Sequence, residues 1–136
     1  FCSKKHLNKK WPFFKELITK IRRVYKNNYS IFIAPGPNEL QDAKEYSANI
    51  ILNENKPLGI KKLVSLIDSA KFVISNDTGP AHIASHLNKK GLVLFGSHTS
   101  PKKVSIENLN FKAITVKNLR DLDVDTVLKK VKERLN

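Results

Sequence analysis

Cysteine is almost missing from this chain of 136 residues: only Cys2 is present, so no disulfide can close within it. No Cys/His cluster has zinc-ligand spacing either, and a reducing compartment without a structural metal is the expectation, with the cytoplasm favoured. Long apolar runs are lacking as well. The most apolar stretches, residues 29–35 and 91–95, fall far short of the roughly 20 residues that cross a bilayer. There is no internal repeat, linker or low-complexity segment. An apolar fraction of 40%, with seven Phe, three Tyr and one Trp, marks a folded chain with one respectable core and no room for a second catalytic domain. The chain opens on Phe1, and its first residues look like neither a signal nor a transit peptide, so it reads as beginning partway through a longer protein.

Acidic residues are scarce: 12 Asp and Glu stand against 25 Lys and Arg, a formal charge of +13. That charge attracts polyanions, be they nucleic acid, phosphorylated lipid heads or nucleotide diphosphates. The lysines fall in scattered pairs, Lys4-Lys5, Lys61-Lys62 and Lys129-Lys130 among them, as expected of solvated surface. A basic nucleic-acid-binding module would need aromatics beside a continuous basic groove. The aromatics here fall instead on helix faces or within strands.

From Trp11 onward, Phe14, Leu17, Ile18, Ile21 and Val24 or Tyr25 recur on one face of a helix entered through Pro12 and ended at Asn27-Asn28. Residues 29–34 read as a strand, 38–47 as a short polar helix and 49–52 as a second strand. The alternation continues with a helical stripe of Leu63, Leu66, Ile67 and Ala70, a strand over 72–75, a helix over 80–87 and a strand over 91–95. A loop over 96–109, a strand over 111–116 and a helix carrying Val124, Val127, Leu128, Val131 and Leu135 complete the chain. Short strands alternating with helices imply a Rossmann-like, doubly wound α/β fold with parallel strands.

Ligands in such folds bind beyond the carboxyl ends of the strands. Of the loops there, Ser75-Asn76-Asp77-Thr78-Gly79-Pro80-Ala81-His82 stands out, because it leaves a strand and enters a helix with Pro80 in the first turn. Gly79 permits close backbone approach, Thr78 offers a hydroxyl, and free amides at a helix start suit a phosphate. A plainer reading is that Asp77 or Thr78 caps the helix and that His82 is a packed surface histidine.

The run Asp77-Thr78-Gly79-Pro80-Ala81-His82 resembles the D-[ST]-G-x-x-H signature of the heptosyltransferases of glycosyltransferase family 9. Lys9-Lys10-Trp11-Pro12 is similar to the family's K-x-W-P segment, Pro35-Gly36-Pro37-Asn38-Glu39 to its glycine-rich loop ending in Glu, and Leu94-Phe95-Gly96 to a later strand end. The elements come in the family's order over nearly the whole chain. This resemblance implies the C-terminal, donor-binding domain of a GT-B enzyme, spanning residues 1–136 and taking a nucleotide sugar such as ADP-heptose. An acceptor domain would lie outside the chain.

By the same resemblance Lys9 contacts donor phosphate, Glu39 the ribose hydroxyls and Leu58 the adenine, while Asp77, Thr78, Gly79 and His82 line the sugar and diphosphate side. Ser3 joins the substrate-binding set, and Lys9 and Asp77 carry the catalytic roles. No cofactor is implied. An inverting reaction is implied, its base supplied by the other domain, so the chain alone is expected to be inactive. Lipopolysaccharide core is the implied acceptor, with peripheral association at the inner face of a bacterial inner membrane. UDP- and GDP-sugars remain alternative donors. The loop Gly96-Ser97-His98-Thr99-Ser100-Pro101 departs from the family's usual G-P-T-x-P, so no contact is assigned to it and His98 is read as exposed. The family places a further strand before the residues matching Phe1, and its position at the sheet centre predicts a gap between the strands near Tyr29 and Phe72.

Overall fold

A computed structural model of the protein describes residues 9–136. The elements run α1 (Phe14–Tyr25), β1 (Phe32–Ile33), α2 (Leu40–Ala43), β2 (Asn49–Ile50), α3 (Ile60–Ser69), β3 (Val73–Asn76) and α4 (Gly79–His86). After these come β4 (Gly91–Phe95), α5 (Pro101–Val104), β5 (Phe111–Thr115), a 3-10 turn (Leu119–Asp121) and α6 (Val124–Leu135). All strand pairings between these elements are parallel, including Val73 with Gly91 and Gly91 with Phe111.

β4 explains why the fold is doubly wound. All five of its residues are buried, which is what a strand covered on both faces requires. Leu92 and Leu94 join one core with α1 and α6, through Leu17, Val127, Val131 and Leu135. Val93 and Phe95 join a second core with Ile67 of α3 and Ala81 and Ala84 of α4. Alternate residues of one strand thus feed opposite layers, the period-2 geometry of a pleated backbone. Gly91 opens this strand at a close approach: a Cβ there would lie 2.2 Å from the Val73 carbonyl oxygen and 2.7 Å from the Phe111 ring.

The strands do not form one continuous sheet among the described residues. β1 and β2 make a two-stranded sheet, and β3, β4 and β5 a three-stranded one in that order. The predicted gap is there. A cavity of about 1310 Å3 lies along it, with Ile33 of β1 and Ile74 of β3 on its walls together with Ile18, Val131 and Leu135. Among the described residues β1 has a partner on one side only, and both it and β2 are two residues long, shorter than the spans expected over 29–34 and 49–52.

Two other expectations need correction. The polar helix expected over 38–47 is a single turn, α2, four residues long. The loop expected over 96–109 contains α5, which starts because the Ser100 hydroxyl accepts from the Lys103 amide and Pro101 fits the first turn. No helix among the described residues is long and apolar enough to cross a membrane.

Candidate functional site

The site is built where the segment before α1 meets the end of β3. Trp11 is wholly buried, and its indole N–H donates to the Leu122 carbonyl at 2.8 Å. Its backbone N–H donates to Oδ1 of Asn76 at 3.0 Å, across 65 residues of sequence. Asn76 is itself fully buried, and its Nδ2 has no hydrogen-bond partner among the described residues. This clamp sets Lys9, two residues upstream, beside Asp77, one residue downstream of Asn76. Lys9 Nζ stands 3.5 Å from Asp77 Oδ2.

Asp77 is the hub. Its side chain is 4% exposed, with Nε2 of His98 3.1 Å from Oδ2 and Nε2 of His82 3.7 Å from Oδ1. A carboxylate this deep persists because cationic and N–H groups surround it. The capping reading of the loop finds no support. Thr78 is the N-cap of α4 yet makes no side-chain cap hydrogen bond. Its hydroxyl turns to the Asn76 carbonyl at 3.3 Å, and its Oγ1 lies 3.3 Å from the Ser75 hydroxyl. The start of α4 therefore faces the cavity without a capping side chain, with Thr78, Gly79 and Pro80 on the cavity wall.

The turn before α2, whose Gly36 and Glu39 line the same cavity, is locked by its own backbone and by Glu39. The Gly36 amide donates to Glu39 Oε2 at 2.8 Å, and the Glu39 amide donates to the Gly36 carbonyl at 3.1 Å. One carboxylate oxygen is thereby held. Leu58 lines the same cavity and is half-buried.

The structure thus brings Lys9, Glu39, Leu58, Asp77, Thr78 and Gly79 to one cavity, and His82 reaches it through Asp77. Ser3 lies outside the described residues. His98 was expected to be exposed, and it is not: its side chain is 7% exposed and its ring stacks on Phe95, with centroids 6.0 Å apart and planes 9° from parallel. The tertiary contact with Asp77 draws the ring inward, where a free loop would leave it in water. Asn76 and His98 are the residues that sequence reasoning missed. Asn76 sits inside the motif but carries no periodic signal, and His98 is marked only by its departure from the expected loop. Among the described residues no group of His, Cys, Asp or Glu is arranged to hold a metal ion.

The family model described as glycosyltransferase family 9 (heptosyltransferase) matches residues 1–131. The chain belongs to that family. Among solved structures, E. coli heptosyltransferase WaaC with ADP is similar at a TM-score of 0.82 and 22% identity, over 98% of this chain and 42% of that one. The same enzyme with ADP-2-deoxy-2-fluoro heptose aligns at 0.77 and 20% identity, over 93% and 39% respectively. E. coli ADP-heptose lps heptosyltransferase II aligns at 0.76 and 18% identity, over 98% and 44%. The heptosyltransferase fold is shared, and this chain spans less than half the length of these relatives. No curated protein sequence matches it.

Proposed function

We propose that this chain is the C-terminal, donor-binding domain of an inverting heptosyltransferase that takes ADP-heptose and acts on the lipopolysaccharide inner core. The observation that carries the reading is the convergence of Lys9, Asp77, the uncapped start of α4, Glu39 and Leu58 on the lining of one cavity. A cation and helix-start amides stabilise the negative charge that grows on a departing nucleotide diphosphate. Lys9 supplies the cation, and Thr78 and Gly79 supply the helix start. The Glu39 carboxylate accepts hydrogen bonds from ribose hydroxyls, and Leu58 offers an apolar contact for the base. Asp77 orients sugar hydroxyls or His82 through its charge.

In this reading the base that activates the acceptor hydroxyl comes from an N-terminal acceptor domain, so residues 1–136 bind donor without turning over. The enzyme works in the cytoplasm at the inner face of the membrane, where its basic surface favours anionic lipid. The deciding experiment is calorimetric binding of ADP-, UDP- and GDP-linked sugars to the full-length protein, followed by transfer assays. Preference for ADP-heptose is expected. Preference for a UDP- or GDP-sugar would refute the donor assignment, and salt-sensitive binding to random oligonucleotides unaffected by any nucleotide sugar would refute the donor-site reading altogether.

A further inference from the structure

Asp77 is held from a side that the family's signature motif does not reach. His98 follows β4, belongs to the loop that departs from the G-P-T-x-P pattern, and puts Nε2 3.1 Å from Asp77 Oδ2. Its ring is clamped by stacking on Phe95, a wholly buried residue of β4. The other ring nitrogen, Nδ1, is buried and has no hydrogen-bond partner among the described residues.

Those facts decide where the ring proton sits. A buried N–H without an acceptor is a costlier orphan than a buried lone pair, and Nε2 faces a carboxylate oxygen. The proton therefore resides on Nε2, which donates to Asp77. We propose that His98 is a positioning residue: it fixes the Asp77 carboxylate by holding Oδ2, leaving Oδ1 turned toward His82 and the donor. Lys9 alone would do this poorly, because its ammonium stands 3.5 Å away on a flexible stem with a side chain 26% exposed. A flat ring stacked on β4 is the more rigid holder. His98 also forms part of a second, smaller cavity of about 390 Å3 with Gly96, Lys117 and Arg120. The loop thus links Asp77, which lines the large cavity, to a basic recess lined by Lys117 and Arg120.

The effect on transfer rests on the donor-site reading above, so the test has two independent arms in the full-length protein. In the first, His98→Gln keeps an N–H donor near the Nε2 position without the ring, and His98→Phe keeps the stacked ring without the donor. His98→Phe should lower kcat on the order of 10- to 100-fold with a smaller change in donor KM, and His98→Gln should retain most of that activity. Equal kcat in the two variants, or a better His98→Phe, would make the residue mere packing and overturn the proposal. The second arm needs no substitution of His98 and no transfer assay. Nitrogen-15 NMR of histidine-labelled protein should find a proton on His98 Nε2, with a resonance that moves on Asp77→Asn. A ring protonated on Nδ1 alone, or a resonance indifferent to Asp77→Asn, overturns the proposal even in a protein whose nucleotide-sugar activity fails to appear.

Discussion

The two sheets of this domain differ in how completely they are packed. The three-stranded sheet has a fully buried middle strand with a helical layer on each face. In the two-stranded sheet the strands are two residues long, and Phe32 of β1 is 53% exposed. On the function proposed above, the difference tracks the cargo of each. Asp77 and its partners hang from the end of β3, where backbone and side chains have little freedom, whereas Glu39 hangs from a turn held by two local hydrogen bonds. Groups that must meet a reacting centre within fractions of an ångström belong on the rigid half. Groups that grip a nucleotide tolerate the looser one.

The sharpest way to break this contrast is to disturb catalysis without disturbing the fold. Asp77→Asn keeps the shape and an acceptor for His98 while deleting the charge. Transfer by the full-length protein should fall on the order of 100-fold, with thermal unfolding nearly unchanged. A parental rate would reduce the motif to a structural turn.

Next in size is the packing contrast itself. Gly91→Ala forces a Cβ against the Val73 carbonyl and the Phe111 ring, and overpacking of this kind costs about 1–3 kcal/mol. Phe32→Ala in β1 should cost far less. Urea unfolding of the two variants compares them directly, and equal losses would mean that the two sheets are packed alike.

Lys9→Ala should weaken donor binding roughly tenfold, since a hydrogen bond to a charged group is worth on the order of 1.5–3 kcal/mol. Lys130, which pairs only with Glu133 at the surface, is the control. Lys130→Ala should leave calorimetric donor affinity alone. Equal effects would mean that lysines act through diffuse potential only.

The smallest effect is expected at the start of α6. The Thr126 amide and hydroxyl both donate to the Asp123 carboxylate and hold its pKa below the usual carboxylate value. A group whose pKa is depressed by folding contributes stability above its unfolded pKa and loses it as pH falls through the folded one. Thermal melts from pH 6 down to about pH 2 should therefore show a slope that Asp123→Asn flattens, the amide still being able to cap. An unchanged slope would assign the acid sensitivity to other carboxylates.

Much of this architecture is written locally. The stripes on α1 and α6, the unbroken apolar run of β4 and the Pro80 helix start all depend on neighbours within a few residues, which is why periodicity and turn chemistry locate them, whereas the α5 turn entered at Pro101 falls inside an expected loop. The motif around Asp77 is likewise a contiguous run, so its chemistry can be read from the chain. Element lengths are less legible: β1 and β2 are short because each pairs on one side only among the described residues. The roles of Asn76 and His98 are decided by folding alone. Asn76 meets the Trp11 amide from 65 residues away, and His98 meets Asp77 from 21 residues away across adjacent strands. Neither contact has a period or a spacing along the chain. Each exists because parallel strands bring their carboxyl ends together, so that loops remote in sequence share one edge of the sheet.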